Sequence, residues 1–111
     1  MDIGHAQDLL ARERARVEGA LGTLVPTIDE DVDPIEAGDA GQEQFQEERD
    51  EARAEQLRNE LAAIERAEHR IAEGTHGLSV DSGEPIPDAR LEAVPWAERT
   101  ADEQARFEAG G

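Results

Sequence analysis

Four positions near the C-terminal end carry the spacing of a metal site and the wrong atoms for one. Ser79 and Ser82 are separated by two residues, with Gly83 next; Thr100 and Glu103 repeat the interval, with Gln104 next. With cysteine at all four places the stretch would read C-x2-C-G…C-x2-C-Q, the spacing of a structural zinc site built on thiolates. The chain has no cysteine anywhere. Serine and threonine hydroxyls are poor zinc ligands, Glu103 alone would ligate in the ordinary way, and the nearby His76 cannot complete a four-coordinate site by itself. The residues therefore predict a ribbon-like module without a metal. Thr100 and Glu103 have a second use, because Thr-x-x-Glu ahead of a helix is a capping box.

Other chemistry is sparse. His5, His69 and His76 are scattered, and His69 stands among Glu65, Glu68 and Glu73, the pattern of a solvated helix face. Neither an H-E-x-x-H motif nor a phosphate-binding glycine loop is present. Carboxylates abound without any feature that would assign them catalytic work, so the expectation is that the protein is not an enzyme and takes no cofactor.

The elements that must position these residues are helical. Ile3, Leu10, Val17 and Leu24 recur every seven residues, and Ala6, Ala20 and Leu21 broaden the stripe. This predicts a first helix over about 2–24. Residues 27–41, TIDEDVDPIEAGDAG, are acidic and hold turn formers; they read as a loop or a loosely helical tip. A second helix is expected over about 42–73, roughly 45–50 Å long at 1.5 Å per residue, with Gly74 as its stop. Leu57, Ile64 and Ile71 recur every seven residues, with Ala54 and Leu61 between. Two narrow seams joined by one connection predict an antiparallel coiled-coil hairpin, residues 1–73, with the acidic segment at its tip. The first helix is too short to cover the second, so some helix is expected within the connecting segment, where it would also shelter Phe45.

Residues 74–111 change character. Leu78 and Val80 facing Ile86 suggest a small hairpin around Asp81–Pro85, and a final helix is expected from Thr100 to Ala109. Leu78, Val80, Ile86, Leu91, Val94, Trp96 and Phe107 are the candidate core. Structural zinc contributes about 10 kcal/mol in small fingers. Here packing must supply part of that, helped by Pro85, Pro87 and Pro95, which limit the freedom of the unfolded chain. The other reading of this stretch is a degenerate, partly disordered tail.

Composition bounds the function. The 111 residues carry a formal net charge of −17, all eleven basic residues are arginine, and Phe45, Trp96 and Phe107 are the only aromatics. Such a chain is repelled by free DNA or RNA, since affinity for nucleic acid rests on neutralised phosphates; it is suited to basic protein surfaces. A generally acidic, highly soluble protein of a salt-rich cell would have the same balance. The opening residues have early acids and no long apolar run, so neither a signal peptide nor a membrane span is expected. A cytoplasmic location fits.

Four stretches carry a specific resemblance: DAGQEQFQEERD at 39–50, LAAIERAEHRIAEGTHG at 61–77, SGEPIP at 82–87 and ARLEAVPWA at 89–97. The chain resembles the DksA/TraR family of bacterial regulators that bind RNA polymerase, and the resemblance covers most of residues 39–104. It implies a cytoplasmic, finger-shaped regulator. The hairpin would enter the secondary channel of core or holoenzyme, and the ribbon-like module would rest on the channel rim. Promoter-complex lifetimes would change without sequence-specific DNA binding.

By this resemblance Asp39 matches the tip aspartate, and Ala40 and Gly41 complete the tip. Ser79, Ser82, Thr100 and Glu103 match the four zinc cysteines, so these former metal positions are not expected to bind zinc. Some members bind guanosine tetraphosphate through basic residues; Ala63 and Val94 stand at the approximate matches here, so alarmone binding is not expected. A tip carboxylate suits contact with basic side chains near an active centre, although Asp39 also suits a simple helix cap.

Two rival readings use the same residues. In one, the seams of two chains pair as a generic coiled-coil interaction module, which would be a dimer where the regulator would be a monomer. In the other, the dense acids of 29–39 mimic nucleic acid in some basic groove.

Overall fold

The computed structural model describes residues 1–24 and 40–110, with side chains described up to Leu24 and from residue 47 onward. Among the described residues there are four helices: α1 (Ile3–Leu24), α2 (Ala40–Glu73), α3 (Asp88–Ala93) and α4 (Ala101–Glu108). The connecting segment expected at the tip, with any helix in it, lies outside the described residues.

Local chemistry accounts for the helix ends. Asp2 starts α1: its carboxylate accepts the His5 N–H at 3.0 Å, and its carbonyl accepts the Ala6 N–H at 2.9 Å. Gly74 ends α2 in the left-handed region at φ 79. There the Gly74 N–H reaches Ile71 O at 3.2 Å and the Thr75 N–H reaches Arg70 O at 2.9 Å, the paired bonds of a Schellman stop, which glycine adopts without a Cβ penalty. α3 follows Pro87 and ends at Val94, which leaves the helical region at φ −135 and ψ 79, as a residue before proline is disfavoured from that region. α4 opens on the complete Thr100–Glu103 capping box.

α1 and α2 pair antiparallel. Arg14 meets Glu65 and Glu68 on α2, whereas Arg16, farther along α1, meets Glu60 at 2.7 Å, farther back along α2. Between the helices lies one core of Leu10, Val17, Leu57, Ile64 and Ala67. Each fully buried Leu, Ile or Val there contributes about 1.5–3 kcal/mol. The arginines along its edge add less, because exposed pairs contribute at most about 1 kcal/mol. Hydrogen bonds to Glu68 and Glu18 nonetheless hold the Arg14 pKa well above the ordinary arginine value. The seam departs from its heptad at one end: Ile3 is 57% exposed, while Ala6 is fully buried.

A second, smaller core holds Ile86, Leu91 and Ala97, with Met1 and Val94 packed on it. Trp96 leaves this group and packs against the arm core, so one side chain ties the module to the arm. The first turn of α1 adds further ties, through the His5 ring to Glu92 and the Met1 ammonium to Asp88 at 3.2 Å. The molecule extends 56 × 32 × 20 Å, an arm with a compact base.

Two expectations for the module need correction, and one helix adds to them. The hairpin is reduced to one isolated antiparallel bridge, Leu78 with Pro85; a proline cannot donate to a ladder. Leu78, Val80 and Phe107 are 40%, 48% and 54% exposed and lie outside the core. Residues 88–93 form a helix that periodicity does not reveal in so short a stretch.

Candidate functional site

The four positions with metal-site spacing are brought together. Ser79 lies in the turn after Gly77, where its N–H donates to Glu84 O at 2.8 Å and its carbonyl accepts the Gly83 N–H at 3.0 Å. Gly83 closes that turn at φ 76, which a side-chain-bearing residue rarely adopts. The Ser79 hydroxyl accepts the N–H groups of Asp81 at 3.1 Å and Ser82 at 3.3 Å. The Ser82 hydroxyl accepts the Glu84 N–H at 3.2 Å.

Opposite this turn, α4 begins. The Glu103 N–H donates to Thr100 Oγ1 at 3.3 Å, and the Thr100 N–H donates to Glu103 Oε1 at 3.0 Å. Ser79 is 4% exposed and Glu103 9% exposed. The Thr100 backbone N–H, then the Ser79 and Ser82 hydroxyls, hold the Glu103 carboxyl down to about 2 from its ordinary 4.5. Hydrogen bonds to an ionised carboxylate favour the charged form. The two segments are further joined by the Val80 N–H to Glu98 O at 2.9 Å and by Arg99 Nε to Asp81 Oδ2 at 2.9 Å. Arg99 also covers the ring of Phe107, 3.9 Å from its centroid, which accounts for a half-exposed phenylalanine on an acidic surface.

This donor set does not fit zinc. Zinc in structural sites takes thiolate and imidazole, and three hydroxyls with one carboxylate supply neither. The His76 Nε2 is engaged with Pro95 O at 3.1 Å. Among the described residues no group of three or more His, Cys, Asp or Glu is placed to hold a metal.

A shallow groove of about 440 Å³ lies where the module meets the arm, with Ala63, Arg66, Val94, Trp96, Glu98 and Phe107 on its walls. Part of its positive charge is paired with carboxylates. Arg66 gives Glu98 two bonds, at 2.9 and 2.7 Å, and Arg90 Nε donates to Arg99 O at 2.8 Å. Ala63 and Val94 add no cation. The histidines do not converge: His5 joins Glu92 and His69 joins Glu73 on its own helix.

The expected tip residue Asp39 lies outside the described residues, while Ala40 and Gly41 open α2. Sequence reasoning missed the pairing of Arg99 with Asp81 and Phe107. It also missed the docking of Met1 and His5, for which the only local signal was Asp2 as a helix cap. No described helix is long and apolar enough to cross a membrane.

Comparison with known proteins adds three likenesses. Residues 80–109 match the family described as the prokaryotic dksA/traR C4-type zinc finger. Over 48 residues the chain is 42% identical to General stress protein 16O of Bacillus subtilis (strain 168), a stretch covering 43% of this chain and 29% of that relative. The structure of transcription factor DksA2 from Pseudomonas aeruginosa is similar with a TM-score of 0.70 and 28% identity, over 96% of this chain and 83% of that one.

Proposed function

As a homologue of the DksA/TraR family of zinc-finger transcriptional regulators whose zinc-finger cysteines are absent here, this protein, we propose, is a non-catalytic regulator that binds RNA polymerase through the secondary channel. The arm enters the channel and presents Asp39, Ala40 and Gly41 near the active centre. The module rests on the rim as a shape, without zinc at Ser79, Ser82, Thr100 or Glu103. Initiation complexes change in lifetime, and no DNA sequence is read.

The observation that carries this reading is the likeness to transcription factor DksA2 over nearly the whole chain. Charge agrees: at −17 the chain suits a basic protein surface and not a phosphate backbone. The protein works as a monomer, because Leu10 and Val17 on α1 and Leu57 and Ile64 on α2 are spent on each other, leaving no need for the seam of a second chain; a cytoplasmic location goes with the proposed partner. Guanosine tetraphosphate is not the expected ligand, because a multiply charged phosphate needs cations, Ala63 and Val94 bring none, and Arg66 and Arg99 are paired with Glu98 and Asp81.

The test is binding to the host's core RNA polymerase at physiological salt, with a known secondary-channel factor as competitor. Displaceable binding at about micromolar affinity or better is expected. A well-folded chain that does not bind, or is not displaced, would overturn the reading.

A further inference from the structure

The base covers a side of α2 that carries a buried, unpaired charge. Arg66, Ala67 and Arg70 follow Ala63 by three, four and seven residues, so the four share one side of the helix. Ala67 belongs to the core that Trp96 joins, Ala63 borders the groove beside Trp96, and Arg66 reaches Glu98 of the base at 2.7 Å. The base therefore lies over this side. One turn beyond Arg66, the Nε and Nη2 atoms of Arg70 are closed to solvent, and neither has a hydrogen-bond partner among the described residues. Buried donors are rarely left without an acceptor, and the penalty is larger when they belong to a cation. Burial also lowers the Arg70 pKa from its ordinary value, the direction expected when a charge loses water and gains no partner.

The contacts that oppose this penalty are light. Among the described residues, α1 and α2 are the only helices in broad contact with each other. The base is held by the Trp96 indole and by the pairs Arg66–Glu98, His5–Glu92 and Met1–Asp88, each open to solvent on at least one side; exposed pairs contribute little. Residues Gly74–Gly77 alone connect α2 to the base, and two of these four are glycine, a residue that absorbs backbone change in hinges. We propose that the base is a hinged element, which leaves its side of α2 by rotation about Gly74–Gly77, and that the Arg70 guanidinium, rehydrated when the base leaves, sets how often it does so. The arm stays paired during this motion, because Leu10, Val17, Leu57 and Ile64 lie between α1 and α2.

The chain has no cysteine, so one introduced thiol reports opening at one place. Ala67→Cys lies beneath the base and Ala54→Cys about 20 Å farther along α2; both positions are buried. The test is the rate at which each thiol reacts with a thiol reagent in the full chain, with and without Arg70→Met or Trp96→Ala. Arg70→Met keeps the apolar stem and removes the buried donors. It is expected to slow labelling at position 67 by about tenfold or more, the scale of one unpaired buried donor, and to leave position 54 unchanged. Trp96→Ala is expected to speed labelling at 67 and not at 54. Ala63→Cys, on the same side of α2, repeats the measurement should the change at 67 disturb the core. An unchanged or faster rate at 67 with Arg70→Met would mean that the guanidinium is satisfied where it lies, and would overturn the hinge. Equal slowing at 54 would mean that the whole arm had been stabilised, and no acceleration at 67 with Trp96→Ala would mean that the base does not gate this side; either overturns it as well. No polymerase enters the measurement, so the proposed function stands whichever way it falls.

Discussion

Ile64 offers the sharpest check on what holds the arm together. It is fully buried beside Leu10, Val17, Leu57 and Ala67, in the core that α1 and α2 share. Ile64→Ala removes everything beyond Cβ from that site, at a cost of about 2–5 kcal/mol for a cavity that relaxes only partly. A chain of this length has about 5–15 kcal/mol in total, so one side chain accounts for a large part of the arm's stability. At about 4 °C per kcal/mol for this size, the midpoint should fall by about 8–20 °C. Ile64→Val, at about 0.5–1.5 kcal/mol, should lower it by about 2–6 °C. Ile3 is the internal control: it stands in the heptad of α1 but is 57% exposed, and Ile3→Ala should stay within about 0.5 kcal/mol of wild type. Far-UV circular dichroism melts, with urea titrations to check that the m-value is unchanged, would measure all three. If Ile64→Ala melts within about 2 °C of wild type, or Ile3→Ala costs as much as Ile64→Ala, the paired seam is not what holds the hairpin.

Three further outcomes are expected. The Glu103 carboxyl is held down to about 2 in the fold against 4.5 ordinarily, so its contribution is complete above about pH 4.5 and is lost as pH falls toward 2. Urea midpoints of wild type and Glu103→Gln should therefore converge across that window, and a constant gap would contradict the assignment. Trp96 joins the module to the arm core and is the only tryptophan. Trp96→Ala should cost about 2–3 kcal/mol for a half-buried indole and speed proteolysis between residues 74 and 100, whereas a wild-type digestion rate would mean that Met1 and His5 suffice to dock the module. Asp39→Ala should leave polymerase binding largely intact while weakening the effect on transcription, and unchanged promoter-complex lifetimes in the variant would remove the tip carboxylate from the mechanism.

The predictions separate two kinds of side chain at the module. Thr100 and Glu103 cap α4 within the module, while Trp96, His5 and Met1 hold the module to the arm. Loss of the first set should loosen the base while the arm stays whole; loss of the second should free an intact base.

The sequence alone determined the features that depend on near neighbours. Seven-residue spacing placed Leu10 and Val17 opposite Leu57 and Ile64, because helical period decides which residues share a face. Gly74 marked the stop of α2 and Thr-x-x-Glu the start of α4, because caps are made by groups within a few residues of each other. The lost metal site was legible for the same reason, as two short intervals without thiols.

Tertiary structure decided the rest. Ile3 and Ala6 both lie on the α1 stripe, yet only Ala6 is buried, because what α2 and the module cover is a matter of distant packing. Leu78, Val80 and Phe107 look like core by composition and stand at the surface, because Trp96 turned to the arm and Met1 and Ala97 filled the small core beside Ile86 and Leu91. Glu103 is the clearest case. Its capping bond to Thr100 spans three residues and can be read from the chain, but the Ser79 and Ser82 hydroxyls come from more than twenty residues away. Only the closing of the turn near the start of α4 brings them close enough to help lower the Glu103 pKa.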